Sequence, residues 1–438
     1  VRKASFPASL VRRSSEGVGG CVLDSGAFRL QIEVWSPPMM RLPSTSRSRR
    51  LAALGLALAL GLQSLAAAAA PVLVPSPPRL AASSWILMDA ETGRILVEEN
   101  ADERLPPASL TKMMTDYIAA SEIEAGRIGL DDEVPISERA WRTGGSKMFV
   151  RVGDRVRLED LIRGIVIQSG NDASVAVAEY IAGSEDAFAD LMNQQAQLLG
   201  MENTRFVNAT GWPAEGHHAS ARDLAILARR IVRDFPEHYA YYAEREFTYG
   251  EDFQTGEPIT QRNRNDLLWL DQTVDGIKTG HTEEAGYCLV ASAERDGMRL
   301  VSVVMGTDSA RARAQESQTL LRYGFRFFET VEVYAGGEEL ERQPLWKGVS
   351  DEVAVGLPED LVLTLVRGRY DDLEATMTVE PWLTAPLAAG EEVGTLTLRL
   401  DEEVLHEGPL VVVEPVAEGG FLLRVWHALY LFFARLFS

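Results

Sequence analysis

Pro106-Pro107-Ala108-Ser109-Leu110-Thr111-Lys112-Met113-Met114-Thr115-Asp116-Tyr117-Ile118 is the stretch on which the reading of this chain turns. The prolines halt the chain, and Leu110, Met113, Met114, Tyr117 and Ile118 then recur at i, i+3, i+4, i+7 and i+8, the signature of a buried helix face. The spacing predicts a helix with Ser109 in its first turn. Position i+3 lies over position i, so Lys112 can set its amine beside the Ser109 hydroxyl. A lysine at its ordinary pKa near ~10.4 is a poor base, so partial burial and a neighbouring cation such as Lys278 are required to lower it.

Two further strings follow in order. Ser169-Gly170-Asn171 falls between two helical patterns, where the glycine permits a tight bend. Ser169 is placed to pass a proton to a leaving amine, and Asn171 to donate to a substrate carbonyl while accepting from a lysine. Lys278-Thr279-Gly280 ends a strand, with a cation and a hydroxyl suited to a carboxylate and a glycine that lets backbone or substrate pass closely. Each string alone has an ordinary reading, as a helix cap, an Asn/Gly turn or an edge strand guarded by lysine. Together, two hydroxyls, two amines and an amide match what serine attack on a carboxylate-ended amide requires.

Outward from these strings, Ser84–Met88, the turn Asp89-Ala90-Glu91-Thr92-Gly93 and Arg94–Glu98 read as an opening hairpin. Helical patterns cover Leu158–Ile167, Ala173–Ile181, Ala187–Leu199 and Ala221–Arg233. Strand texture returns over Val274–Thr279, Tyr287–Ala293 and Arg299–Met305, followed by a long helix from about Ala312 to Phe328. Strands from both ends are expected to share one antiparallel sheet. Beyond residue 330, alternation such as Thr395-Leu396-Thr397-Leu398-Arg399-Leu400 predicts a small all-β domain. The fold class is thus mixed α/β with an all-β domain behind it.

Expected boundaries are an extension over 1–38 that is non-native or unstructured, an export signal over 39–70, a linker over 71–82, a catalytic domain over 83–330, a β domain over 331–415 and a terminal helix over 416–438. Met39-Met40, Arg41, Arg47, Arg49 and Arg50 precede the apolar run Leu51–Leu65 and the stretch Ala66–Ala70. This is a secretory pattern with translation expected from Met39 or Met40, and small residues at its end favour cleavage over an uncleaved span. The protein is therefore expected in the periplasm or on the outer cell surface.

Of 43 Lys+Arg and 64 Asp+Glu, nine basic and three acidic residues lie within 1–70, leaving 34 against 61 and a formal charge of −27. That surplus excludes a nucleic-acid binder. Of two cysteines, Cys21 precedes the signal and Cys288 stands alone, so the exported part has no internal disulfide. His217-His218 lack a completing ligand set and read as a solvated loop pair rather than a metal site. Phe421–Ser438 is apolar around most of its circumference, with Arg424, His427, Arg435 and Ser438 on one stripe. It reads as a helix lying in a membrane interface, with packing against the β domain as the alternative.

The chain resembles the D-alanyl-D-alanine carboxypeptidases of peptidase family S11, which are low-molecular-weight penicillin-binding proteins. The resemblance runs from about Ala81 to Val413 and rests on the three strings, on Gln168–Asp172, on Asp275–Thr282 and on Tyr323-Gly324-Phe325-Arg326-Phe327-Phe328. It implies a β-lactamase/transpeptidase-like domain without cofactor or metal. Ser109 would form the acyl-enzyme, Lys112 take its proton, Ser169 and Lys278 serve proton movement and polarisation, and Asn171 hold the substrate. It further implies an oxyanion hole from the backbone N–H groups of Ser109 and His281, with Thr279 facing the terminal carboxylate. Arg313, Arg264 and the loop Thr143–Met148, with Ser146, would border the cleft. The implied partners are the peptidoglycan pentapeptide stem, β-lactam antibiotics and, through residues 421–438, the inner-membrane surface. A serine β-lactamase, a silent penicillin-binding sensor or scaffold, and a crosslink endopeptidase are the competing readings.

Overall fold

The structure, a computed structural model, describes residues 2–4, 29–32, 74–251 and 255–437. The expected export signal over 39–70 lies outside the described residues. The described residues divide into two compact units, Pro75–Thr330 and one from Val331 onward that takes in Arg2–Ala4 and Arg29–Ile32.

In the first unit a five-stranded antiparallel sheet runs in the order Ile95–Glu99, Ser84–Asp89, Met298–Thr307, Gly286–Arg295, Val274–Thr282. The opening hairpin and the three late strands share this sheet, as their alternating apolar texture requires. Ile86, Val290, Val301 and Val303 are sealed from solvent, since strands covered on both faces become nearly continuous apolar runs. The order leaves Val274–Thr282 at an edge, which frees one side of the strand that carries Lys278 and Thr279.

Helices Lys112–Glu124, Leu158–Val166, Asn171–Ala182, Glu185–Leu198 and Ala221–Asp234 form the helical block. Met113, Met114, Leu161, Ile165, Val175, Phe188 and Leu224 are buried in one core. The long helix is Ala310–Phe327, started by Ser309, whose side chain accepts from the Ala312 N–H. One expectation needs correction: Ser109 is not in the first turn of an α-helix. Ala108–Thr111 is a 3₁₀ turn, and the α-helix starts at Lys112. Ala108, at φ 48°, lies in the left-handed region and bends the chain between Pro107 and Ser109. Pro75, expected in the linker, accepts a bond from the Tyr323 hydroxyl at 3.0 Å.

The second unit is built on a seven-stranded sheet in which Leu373–Val379, Glu392–Leu400, Glu403–Val412, Glu352–Gly356 and Glu341–Pro344 follow one another. Arg2–Ala4 and Arg29–Ile32 complete its other edge. Leu361, Leu363 and Leu365 cluster with Leu373, Ala375, Met377, Leu396 and Leu398, the alternation that marked these strands in the sequence. A helix, Phe421–Phe437, ends the unit. Trp346 stacks on Tyr430 with ring centroids 5.0 Å apart, and the Lys347 N–H donates to His427 Nδ1 at 2.8 Å. One stripe of the helix is thus docked on its own domain. Phe421, Leu422, Trp426, Leu429, Phe432 and Phe433 stay exposed.

Candidate active site

The 3₁₀ turn delivers Ser109 half-buried to the floor of a cleft of about 660 Å³, lined also by Ser146, Ser169, Arg264, Thr279, Gly280, His281 and Arg313. Lys112 Nζ lies 3.0 Å from Ser109 Oγ and donates to the Thr210 carbonyl at 2.6 Å. Its side chain is wholly enclosed. Burial, followed by the positive charge of Arg264, brings the Lys112 ammonium down to about 7. Arg264 thus joins Lys278, the neighbour named from the sequence, as a cation beside Lys112. Burial, with Lys112, Arg264 and Arg313 nearby, also holds Lys278 well below the ordinary lysine value. Removing an ammonium from water penalises its charged form, and like charges add to the penalty.

Ser169 sits at φ 66°, in the left-handed region, ahead of the helix that begins at Asn171. Its Oγ is buried with no hydrogen-bond partner in the protein. An unpaired buried hydroxyl costs about 1–3 kcal/mol, and strained backbone of this kind collects where function demands it. Asn171 Nδ2 donates to the Gly144 carbonyl at 2.7 Å, and its backbone N–H to the Ser146 carbonyl at 2.8 Å. Part of its amide capacity therefore fixes the loop rather than waiting for a substrate.

Its neighbour Asp172 organises that loop most heavily. The carboxylate accepts from the N–H groups of Met148 at 2.9 Å, Phe149 at 2.8 Å, Val150 at 3.3 Å and Ala173 at 3.0 Å. Sequence reasoning gave Asp172 no role, although it closes the Gln168–Asp172 string. Within the same loop Lys147 donates to the Trp141 carbonyl at 2.5 Å.

On the opposite wall, Gly280 brings the edge strand against the nucleophile turn. A Cβ there would lie 3.0 Å from the Pro107 carbonyl oxygen, 3.2 Å from Leu110 Cγ and 3.3 Å from Ala108 Cβ. Lys278 Nζ donates to the Thr279 carbonyl at 3.3 Å. Arg313 is buried, not a surface side chain, and donates from Nη1 to the Gly280 carbonyl at 3.1 Å and from Nη2 to the Arg264 carbonyl at 3.4 Å. It clamps the strand to the segment that carries Arg264. The His281 ring packs on Tyr287, its register partner on the adjacent strand, with centroids 3.9 Å apart. Tyr287 and Asp266 also line the cleft, and only knowledge of the strand pairing would have revealed Tyr287.

His217 requires a correction. It is 8% exposed, not solvated, and lies 2.8 Å from Thr111 Oγ1 through Nε2. Among the described residues there is no group of three or more His, Cys, Asp or Glu that could hold a metal ion. Burial pushes the Cys288 thiol up to about 11, so it is a protonated filler rather than a nucleophile. No helix among the described residues is long and apolar enough to cross a membrane.

A family model described as D-alanyl-D-alanine carboxypeptidase matches residues 72–309, and one described as the penicillin-binding protein 5 C-terminal domain matches 328–418. The chain is 44% identical to the D-alanyl-D-alanine carboxypeptidase DacA of Escherichia coli strain K12 over 374 residues, covering 84% of this chain and 91% of that one. Penicillin-binding protein 5 of Haemophilus influenzae superposes with a TM-score of 0.72 at 40% identity, covering 78% of this chain and all of the other. Penicillin-binding protein D2 of Listeria monocytogenes, solved in its ampicillin-bound form, matches with a TM-score of 0.52 at 29% identity, over 57% of this chain and 100% of that one.

Proposed function

The chain belongs to the D-alanyl-D-alanine carboxypeptidase family of low-molecular-weight penicillin-binding proteins, and from that premise we propose that Ser109, with Lys112 as its base, carries the reaction. The protein is a serine-type D-Ala-D-Ala carboxypeptidase, a hydrolase of peptidoglycan metabolism. What supports the residue assignment above all is the 3.0 Å approach of Lys112 Nζ to Ser109 Oγ with the amine brought down to about 7.

In this reading the terminal D-alanine carboxylate lies against Thr279, Arg264 and Arg313, and the scissile carbonyl points at the backbone N–H groups of Ser109 and His281. Each such donor is commonly worth about 2.7–4 kcal/mol in the transition state. Neutral Lys112 takes the hydroxyl proton as Ser109 Oγ bonds to the carbonyl carbon. The C–N bond then breaks, and the D-alanine amine leaves with a proton passed through Ser169, whose unpartnered Oγ suits a relay fed by Lys112 and Lys278. Water, deprotonated by Lys112, cleaves the ester and restores Ser109. Asn171 and Ser146 orient the stem peptide. A β-lactam would acylate the same oxygen.

The site of action in this reading is the periplasm, after export by the signal over 39–70. The exposed apolar side of Phe421–Phe437 would sit in the inner-membrane interface, attaching the enzyme without a span. The test is D-Ala release from a diacetyl-lysyl-D-Ala-D-Ala mimic by the purified protein. Ser109→Ala should abolish both release and covalent penicillin labelling, and full activity in that variant would refute the nucleophile. Deleting 421–438 should free the protein from inner-membrane vesicles with catalysis intact, and undiminished vesicle binding would refute the anchor.

A further inference from the structure

The segment between the helices Glu185–Leu198 and Ala221–Asp234 touches the nucleophile turn and helix at three places. Thr115 Oγ1 donates to the Ala209 carbonyl at 2.7 Å, Lys112 Nζ to the Thr210 carbonyl at 2.6 Å, and His217 Nε2 meets Thr111 Oγ1 at 2.8 Å. The segment is itself rigid. Asn208 Oδ1 accepts from the N–H groups of Thr210, Gly211 and Trp212 at 3.1, 2.8 and 3.2 Å. Gly211, at φ 81°, passes so close to the nucleophile turn that a Cβ would stand 1.7 Å from the Ala108 carbonyl oxygen.

The protonation state of His217 follows from its partners. The Val207 N–H donates to Nδ1 at 3.2 Å, so that nitrogen carries the lone pair. In a neutral imidazole the proton is then on Nε2, which donates to Thr111 Oγ1. A proton added to Nδ1 would confront the Val207 N–H. Phe206 closes one side edge-on, with centroids 5.9 Å apart. The charged or titratable groups pressing on the ring are His218 from its own loop and Lys112 from the helix, and with burial as the main cause they bring His217 down to about 4.

We propose that His217, fixed as a neutral Nε2–H donor to Thr111, is a positioning residue that locks the Ser109–Lys112 turn against residues 209–211 and so keeps the Lys112 amine enclosed. Thr111 lies between Ser109 and Lys112 and is the last residue of the 3₁₀ turn before the helix, so a bond to its side chain fixes the rotation of the turn. A histidine serves here because it fills a buried slot while accepting from one side and donating on the other. The inference rests on the carboxypeptidase reading, in which Lys112 is the base.

The test uses the full purified chain and the D-Ala release assay, with kcat/KM followed across pH. His217→Ala should lower kcat/KM by about tenfold to a hundredfold and move the acid limb to higher pH, because Lys112 gains water and its ammonium recovers. His217→Gln, whose amide can accept from Val207 and donate to Thr111, should restore the rate to within about twofold and return the limb to its original place. Thr111→Val removes only the acceptor oxygen and should reproduce the shifted limb, which keeps the test decisive if His217→Ala does not fold. A His217→Ala or Thr111→Val limb that coincides with the parent would overturn the proposal, and so would a glutamine variant no better than alanine. A parent protein that releases no D-Ala would instead sink the carboxypeptidase reading.

Discussion

Replacing Arg264 with methionine should move the acid limb of the reaction towards higher pH. Lys112 is brought to about 7, so about half of its amines are neutral at pH 7, against a fraction near ~4 × 10⁻⁴ for a lysine titrating at ~10.4. The site thereby enlarges the population of free base about a thousandfold. Burial is the larger cause and the Arg264 charge the second, with Asp172 working in the other direction. Arg264 therefore contributes less than burial does, and since a like charge at this range is commonly worth about one pH unit, its loss should raise the limb by about that much. At pH 6.5 that shift lowers the neutral fraction about eightfold, whereas at pH 9 it changes little. The assay is kcat/KM for D-Ala release from pH 5 to 10. A loss of carboxylate binding would lower the plateau at every pH, so the position of the limb separates the two roles of Arg264. A limb unmoved in Arg264→Met would refute the electrostatic reasoning. His281→Asn is the control: disappearance of the limb in that variant would assign it to an imidazole rather than to Lys112.

Gly280→Ala should cut kcat/KM by about tenfold or more with only a modest fall in Tm, because the new Cβ meets the Pro107 carbonyl and Leu110 at 3.0 and 3.2 Å and overpacking typically costs ~1–3 kcal/mol; a wild-type rate would show that the strand can retreat without disturbing Ser109. His238 offers a stability test. Burial works to lower its pKa, but Asp116 at 2.9 Å more than offsets this and the folded value is raised. Its contribution is therefore full below the unfolded value near ~6.5 and is lost as pH rises through the folded value. Thermal melts from pH 6 to 9 should show this decline, and His238→Gln should flatten it; an equal slope in the variant would place the titration elsewhere.

The helical block and the shared sheet were legible because apolar spacing of 3.6 and 2 reports burial directly, as Leu161, Ile162 and Ile165 or Leu396, Leu398 and Leu400 illustrate. The Ser109–Lys112 proximity was legible for the same reason, since three residues of helix or 3₁₀ turn bring both side chains to one side. Less visible was how the turn begins. The local pattern gave no sign that Ala108 would adopt a positive φ and convert the first turn to 3₁₀ geometry. Partners distant in sequence were hidden altogether: Thr210 and His217 lie about a hundred residues from the turn they hold, and nothing periodic links them. His217 read as a loop histidine because sequence shows its neighbours Gly216 and His218, not the Phe206 ring or the Val207 N–H that enclose it. The presence of Arg264 as a further cation beside Lys112 was hidden for the same reason.

The acidic character of the chain makes the lysine pair instructive. A formal surplus of −27 beyond residue 70 would favour protonated amines everywhere if charge acted at long range, yet Lys112 and Lys278 are both held down. Solvent and salt explain why the surplus does not decide the outcome: exposed carboxylates act over about 10 Å at ordinary ionic strength, while a sealed amine answers to its immediate shell. In that shell the carboxylate that matters is Asp172, which draws the Lys112 value upward. Four backbone N–H groups converge on its two oxygens, so the same carboxylate also holds the loop that borders the cleft. One carboxylate thus does two things at once, shaping the wall that carries Ser146 and drawing the Lys112 value upward. For that reason Asp172, absent from any list of reacting groups, constrains both the geometry and the acidity of the site.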